Sequence, residues 1–226
     1  LLKWTIILWV LVVAAPSDGA DAFRDPRGTR TCLTLSYFPP PSSQERMLEL
    51  GLSVFREAGL CVHLVPVPAR RSRQMMVSGK IDGQLMRTLV WAQQHRHSVV
   101  SVPTPIVVNK MMAVSLKKNG YLLKVMDDLM GLRVLIFEGH RWAEAELAKR
   151  SIQPAHASSI VRFIERMRFR EVDVGLMENA VLGRLQEQPD FALQSVADVP
   201  YHLVLHIKHA RYIGALDEAI ERIASK

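Results

Sequence analysis

Ile81-Asp-Gly-Gln-Leu-Met-Arg87 and Val172-Asp-Val-Gly-Leu-Met-Glu178 read as one short strand written twice, 91 residues apart. Each copy closes a similar run of elements. Ahead of the first, Leu33-Thr-Leu-Ser-Tyr37 has the apolar alternation of a strand and ends in Phe38 and three prolines. Ser42 and Ser43 then open a helix whose apolar stripe includes Met47, Leu48, Val54 and Phe55, and Gly59 ends it. Cys61-Val-His-Leu-Val65 reads as the next strand, and residues 70–78 as a helix stopped by Gly79. Ahead of the second copy the order is a strand at Arg133-Val-Leu-Ile-Phe137, a helix over 142–150, a short strand near Ile152 and a helix over 158–169. With Leu35 and Ile136 taken as equivalent, the offset there is 101 residues.

Strand and helix in alternation imply a mostly parallel sheet flanked by helices. The expected class is α/β, in two related lobes. The link between them, residues 99–123, is punctuated by Pro103, Pro105, Asn119 and Gly120, and Ile106-Val-Val-Asn-Lys-Met-Met-Ala-Val-Ser115 inside it is extended and apolar. Tyr201-His-Leu-Val-Leu-His-Ile207 is a late strand, and a helix over 215–224 follows. Those elements return the chain to the first lobe, so lobe 1 is expected at residues 23–112 and 202–226 and lobe 2 at 113–201. Two crossings make a hinge.

The chain has 226 residues, 49% hydrophobic and 23% charged, a composition that excludes disordered, collagen-like and disulfide-scaffold classes. The apolar fraction is concentrated at the front. Residues 1–15 carry one charge, Lys3, and Ala20-Asp-Ala22 gives a small-x-small site. Residues 1–22 read as a secretory signal peptide, with a retained anchor as the alternative; the run falls short of the roughly 20 residues that span a bilayer. Removing them takes Lys3, Asp18 and Asp21, which leaves the remainder one charge more basic than the +7 of the whole chain. Export permits a disulfide. Cys32 and Cys61, the only cysteines, each start an apolar run, so a bridge and two buried thiols both fit.

The run Leu-x-Leu-x-Tyr37-Phe-Pro-Pro, Gly79-x-Ile-Asp82, Val102-Pro-x-Pro105, Asp128-Leu-Met-Gly-Leu-Arg-Val134 and Glu171-Val-Asp173 resembles the bacterial extracellular solute-binding proteins of family 3. The resemblance covers residues 30–224. It implies the type II periplasmic binding protein fold, a small ligand closed in the cleft between lobes, and delivery to an ABC importer. It also implies that Glu178 stands where the family holds an α-amino group. The family's Thr-x-x-Arg segment falls in residues 89–97, where Arg96 stands at a shorter spacing.

Ligands of parallel α/β units sit beyond the carboxyl ends of the strands. That rule selects Tyr37, Phe38, Arg70, Arg87, Thr88, Glu138, His140, Arg141, Glu178 and Asn179 as candidate ligand-binding residues. Arg87 and Glu178 end the matched strands, one per lobe, and suit a zwitterion's carboxylate and amine; two solvated strand-end charges are the alternative. Gly139-His140-Arg141 precedes a helix whose N–H groups could hold an anion, with an ordinary capped loop as the alternative. Tyr37 and Phe38 fit either a ligand floor or a Pro-rich turn packed on its own lobe. Asp82 and Asp173 follow tight turns and read as structural.

No nucleotide, serine-hydrolase or Walker motif appears, so no cofactor and no catalytic residue is assigned. His202 and His206 lie about 13 Å apart if extended, too far to share a metal. Arg70-Arg-Ser-Arg73 lacks interleaved aromatics, which argues against nucleic acid. The expected function is a monomeric periplasmic protein that captures an amino-acid-like or organic-acid solute, with an ABC permease or an inner-membrane sensor as partner. A cleft enzyme of dehydratase type is the remoter alternative.

Overall fold

The computed structural model describes residues 32–37, 45–186 and 188–225. The expected signal peptide, Phe38 and the helix-opening Ser42 and Ser43 lie outside the described residues. The first unit runs β1 (Leu33–Tyr37), α1 (Glu45–Glu57), β2 (Val62–Pro66), α2 (Ala69–Val77), β3 (Gly83–Arg87), α3 (Leu89–Gln94) and β4 (Val99–Ser101). β5 (Val107–Leu116) crosses to the second unit: β6 (Val134–Phe137), α4 (Arg141–Ala148), β7 (Ala155–Ala157), α5 (Ile160–Arg168) and β8 (Val174–Glu178). β9 (Phe191–His206) crosses back, and α6 (Ile213–Ala224) ends the chain.

The sheet order is β2-β1-β3-β9-β5-β8-β6-β7, with β4 paired to β9 beside this path. Read from either end, the order is the same motif. In one lobe β1 pairs in parallel with β2 and β3, and in the other β6 pairs in parallel with β7 and β8. Each parallel trio is then closed by an antiparallel crossing strand, β9 on β3 and β5 on β8. The repeated motif seen in sequence is therefore β3 and β8, the inner strand of each trio.

Registers correct the alignment of the halves. Leu35 lies opposite Gly83, and Val134 lies opposite Val174. Gly83 and Val174 are equivalents at the 91-residue offset, so the counterpart of Leu35 is Val134 rather than Ile136, at an offset of 99. The two aspartates confirm the new register by making the same bond. Asp82 accepts from the Thr34 N–H at 2.9 Å, and Asp173 from the Arg133 N–H at 2.9 Å, Thr34 and Arg133 being 99 apart. Each also exchanges a backbone bond with that residue's carbonyl, at 2.8 and 2.9 Å. The aspartate clasps the start of the trio's central strand to the start of its inner strand, which is why the repeat preserves it physically.

Each lobe has its own core. Leu33, Leu35, Val54, Phe55, Leu85, Leu203 and Leu205 pack with Leu216, Ala219 and Ile220 of α6, so the last helix completes lobe 1. In lobe 2, Met111, Leu129, Ile136, Leu147 and Leu176 fill one sheet face, and Leu135, Phe163, Met167 and Met177 the other. Gly175 is required there: a Cβ at that position would stand 2.1 Å from the Phe163 ring.

Three elements differ from expectation. Residues 89–97, read without a helix, hold α3, because Trp91 and Ala92 are buried against lobe 1. The short strand expected near Ile152 lies at Ala155–Ala157, beyond Pro154. The late strand begins ten residues sooner than Tyr201, since polar residues and Pro200 break its alternation while β5 holds it in register.

Cys32 and Cys61 form a disulfide with 4.5 Å between their Cα atoms. It joins the leading ends of β1 and β2, and Leu33 N–H donates to the Cys61 carbonyl at 2.9 Å beside it. The loop it closes spans a sequence separation of 29, long enough for a stabilisation of roughly 3–4 kcal/mol through the unfolded chain. Denatured, unreduced protein should show no titratable thiol. Reduced wild type and Cys32→Ser should share one unfolding midpoint, lower than the oxidised wild type; two thiols before reduction would remove the bridge.

Candidate functional site

A cavity of about 360 Å³ lies where the two lobes and the crossing strands meet. Lobe 1 supplies Met47 from α1, Met86 and Arg87 from the end of β3, and Thr88 and Trp91 around the start of α3. Lobe 2 supplies Phe137, the Gly139–Trp142 turn into α4, and Glu178, Ala180 and Val181 at the end of β8. Asn109 of β5 and Tyr201 of β9 form the floor between them. At the mouth, α3 of one lobe lies against α4 of the other.

On the lobe 1 wall, Arg87 is held from behind. Its Nε donates to Gln84 Oε1 at 2.5 Å, and the Gln84 amide in turn donates to the Ser72 hydroxyl. Ser72 shares a 2.5 Å bond with Ser36, so a buried polar chain runs from β1 through α2 and β3 to the guanidinium. The guanidinium lies over the Trp91 ring, 4.7 Å from its centroid, a cation–π arrangement. Burial pulls the Arg87 pKa down to about 10, Tyr201 opposing this and Arg73 adding to it.

On the lobe 2 wall, Glu178 is only 8% exposed and accepts three side-chain hydrogen bonds. Its Oε1 takes His140 Nε2 at 2.9 Å and the Tyr201 hydroxyl at 2.5 Å, and its Oε2 takes Asn109 Nδ2 at 2.7 Å. His140 is the N-cap of α4, its Nδ1 accepting from Ala143 N–H at 3.2 Å. An accepting Nδ1 places the ring proton on Nε2, where it points at Glu178. Gly139, at a φ of 78°, provides the left-handed turn that aims the ring.

Burial works to raise the Glu178 pKa, but the bonds from His140, Tyr201 and Asn109 outweigh it and hold the carboxyl below its ordinary value. Burial, with the charge and bond of Glu178, pushes the Tyr201 phenol far above its usual range.

Of the residues selected by the strand-end rule, Arg87, Thr88, His140, Arg141 and Glu178 come together on this wall. Tyr37, Arg70, Glu138 and Asn179 do not line it. Tyr37 packs on the lobe 1 core and borders a small pocket with Ser36, Ser72, Gln84 and Met86. Arg70 is exposed on α2, Glu138 faces solvent, and Asn179 accepts from the Lys110 N–H at 3.0 Å, tying β5 to the turn after β8. Phe38 lies outside the described residues. Arg96 is exposed in the turn after α3.

Sequence reasoning missed Asn109, Tyr201, Trp91, Phe137 and Trp142. The first two stand on antiparallel crossing strands, to which a rule about parallel strand ends does not apply. Among the described residues, the cluster of metal-ligand type is Cys32, Cys61 and His63, away from the cavity, and its two sulfurs are spent on each other.

The Glu178 network has a pH signature. A carboxyl held below its unfolded value adds stability above that value and loses it as pH falls through the folded one. Tyr201→Phe removes one donor and raises the folded pKa. The variant should be about 1.5–3 kcal/mol less stable than wild type at pH 7, and this difference should shrink as urea denaturation is repeated toward pH 3. A difference constant with pH would assign the loss to packing alone.

No protein-family profile matches the chain, and no curated protein matches it in sequence. Solved structures do match. Holo ArgBP from T. maritima aligns at a TM-score of 0.60 and 14% identity, over 86% of this chain and 91% of that one. The amino acid ABC transporter substrate-binding protein AbpA from Streptococcus pneumoniae, bound to L-arginine, aligns at 0.59 and 16%, over 85% and 89%. The GluR0 ligand-binding core in complex with L-glutamate aligns at 0.65 and 12%, over 87% and 93%. Among the described residues no helix is long and apolar enough to cross a membrane. With two parallel trios joined by two crossing strands, the chain has the two-lobed type II periplasmic binding protein fold of these structures.

Proposed function

We propose that this chain is an exported solute-binding protein that captures a small polar ligand, amino-acid-like or an organic acid, between lobes of residues 23–112 with 202–226 and 113–201. The observation that carries the reading is the wall itself: a guanidinium of one lobe and a carboxylate of the other share one cavity floored by both crossing strands. The three solved structures named above are two binding proteins and a ligand-binding core, and the cavity is assigned binding rather than turnover. A ligand touching both walls favours the closed arrangement by its differential affinity for it, and closure about β5 and β9 is the proposed mechanism. The closed monomer then presents the solute to an ABC permease in the inner membrane, as the resemblance to family 3 binding proteins implies.

Arg87 is the anion-binding residue of this reading. Its fork is fixed by Gln84 and suits a carboxylate. A thermal-shift screen over amino acids, organic acids, polyamines and quaternary amines tests the assignment. A ligand present at a hundred times its Kd stabilises by about 2.7 kcal/mol, which raises Tm by roughly 5–10 °C in a chain of this size. The shift should vanish in Arg87→Ala and persist in Arg70→Ala. A blank screen would overturn the reading, and an undiminished shift in Arg87→Ala would remove Arg87 from the site.

A further inference from the structure

We propose that the cavity selects a carboxylate with an apolar, preferably aromatic, body and discriminates against the α-amino zwitterion built on the same skeleton. This rests on the solute-binding reading and narrows it to a ligand class.

The argument starts from acceptor capacity. An ionised carboxylate has about four lone-pair positions, and an ammonium brings three N–H donors. Glu178 is the sole carboxylate on the cavity wall among the described residues. Two positions on its Oε1 are filled by His140 and Tyr201, and one on its Oε2 by Asn109. One position is left for three donors. An ammonium entering here gives up water without gaining an equivalent shell, or it displaces an internal donor and strands that donor instead. The protons of the Tyr201 hydroxyl and of His140 Nε2 already point at Glu178. The lobe 2 anion is thus a strut between β8, α4 and the crossing strands.

The rest of the wall points the same way. Arg87 and Arg141 are its two guanidinium groups, so the lining charge outweighs Glu178 by one. Arg141 is exposed and bonded to Glu144 of its own helix at 2.9 Å, and Arg87 is half-buried, bonded to Gln84 and stacked on Trp91. Beyond these charges and the polar Thr88, Asn109 and His140, the wall is apolar and aromatic, with Met47, Met86, Trp91, Phe137, Trp142 and Tyr201. A ligand with its anion on the lobe 1 side and a hydrocarbon or aryl body across Phe137 and Trp142 satisfies all of it. Among the described lining residues no second carboxylate is left to pair with a cationic group.

The test compares three probes with one phenylethyl skeleton by isothermal titration of the full chain: 3-phenylpropanoate, L-phenylalanine and 2-phenylethylamine. 3-Phenylpropanoate should bind about tenfold or more tightly than L-phenylalanine, and the amine should not bind. Tyr201→Phe and Asn109→Ala each reopen an acceptor position on Glu178. In either variant that folds, judged by circular dichroism, the preference should fall at least about threefold toward L-phenylalanine. Wild-type binding of L-phenylalanine as tight as that of 3-phenylpropanoate would overturn the proposal, as would a preference that both variants leave unchanged. If none of the three binds while another solute in the wider screen does, the ligand class is wrong and the solute-binding reading stands. A blank screen fails both.

Discussion

The pairing of β5 with β9 is the constraint from which the rest of the molecule follows. From Val107↔Tyr201 to Leu116↔Phe191 the two strands run antiparallel, with one register shift between Met111 and Met112. Neither strand belongs to one lobe. β9 pairs with β5 through Tyr201 and then with β3 and β4 from His202 onward, while β5 carries β8 on its other edge. Both crossings therefore occur at one place and in one fixed register. That register sets Asn109 and Tyr201 beneath the end of β8, where they reach Glu178. A one-residue slip of β9 on β5 would turn Tyr201 to the opposite face and leave a buried carboxylate short of a donor.

How far the sequence speaks depends on where each signal originates. The β3 and β8 strands are legible because their constraint is local. Each must bury apolar residues on both faces, begin after a tight turn, and keep an aspartate for the clasp to the neighbouring strand. The equivalence of Leu35 with Ile136 failed because apolar runs of similar length slide past one another. The register is fixed by Asp82 and Asp173 bonding to Thr34 and Arg133, and neither of those residues looks distinctive in sequence. The first ten residues of β9 are illegible for a different reason. Phe-Ala-Leu-Gln-Ser-Val-Ala-Asp-Val-Pro has weak alternation, and β5 supplies the order that propensity does not.

The candidate site divides along the same line. Strand ends found Arg87 and Glu178, and the glycine turn before α4 found His140 and Arg141. The same rule also picked Glu138 and Asn179, since it locates a loop but not which side of the loop faces inward. Glu138 and Asn179 each neighbour a lining residue in the chain and point elsewhere. Arg70 lies in the first turn of α2, yet what α2 contributes is Ser72, buried behind Arg87 and two positions further on. Trp91 and Trp142 occupy the facing helices α3 and α4, and nothing in their local sequence separates a cavity wall from a helix–helix contact.

The frame is close to symmetric, and the cleft is where that symmetry ends. Both lobes deliver a charged residue at the end of the matched strand, and both tie it into a hydrogen-bonded network. The networks act in opposite senses. In lobe 1 the Ser36–Ser72–Gln84 chain approaches Arg87 from behind, through Nε, and directs the fork of the guanidinium onward over Trp91. In lobe 2 the donors converge on the carboxylate oxygens themselves, the very atoms a ligand would use. One network orients a charge and the other consumes it. Both strands end beside a crossing strand, β8 on β5 and β3 on β9, and the difference lies in the side chains that reach each end: Asn109 and Tyr201 meet Glu178 head-on, whereas Trp91 of α3 offers Arg87 an aromatic face. Two copies of one strand thus acquire different chemistry from their neighbours.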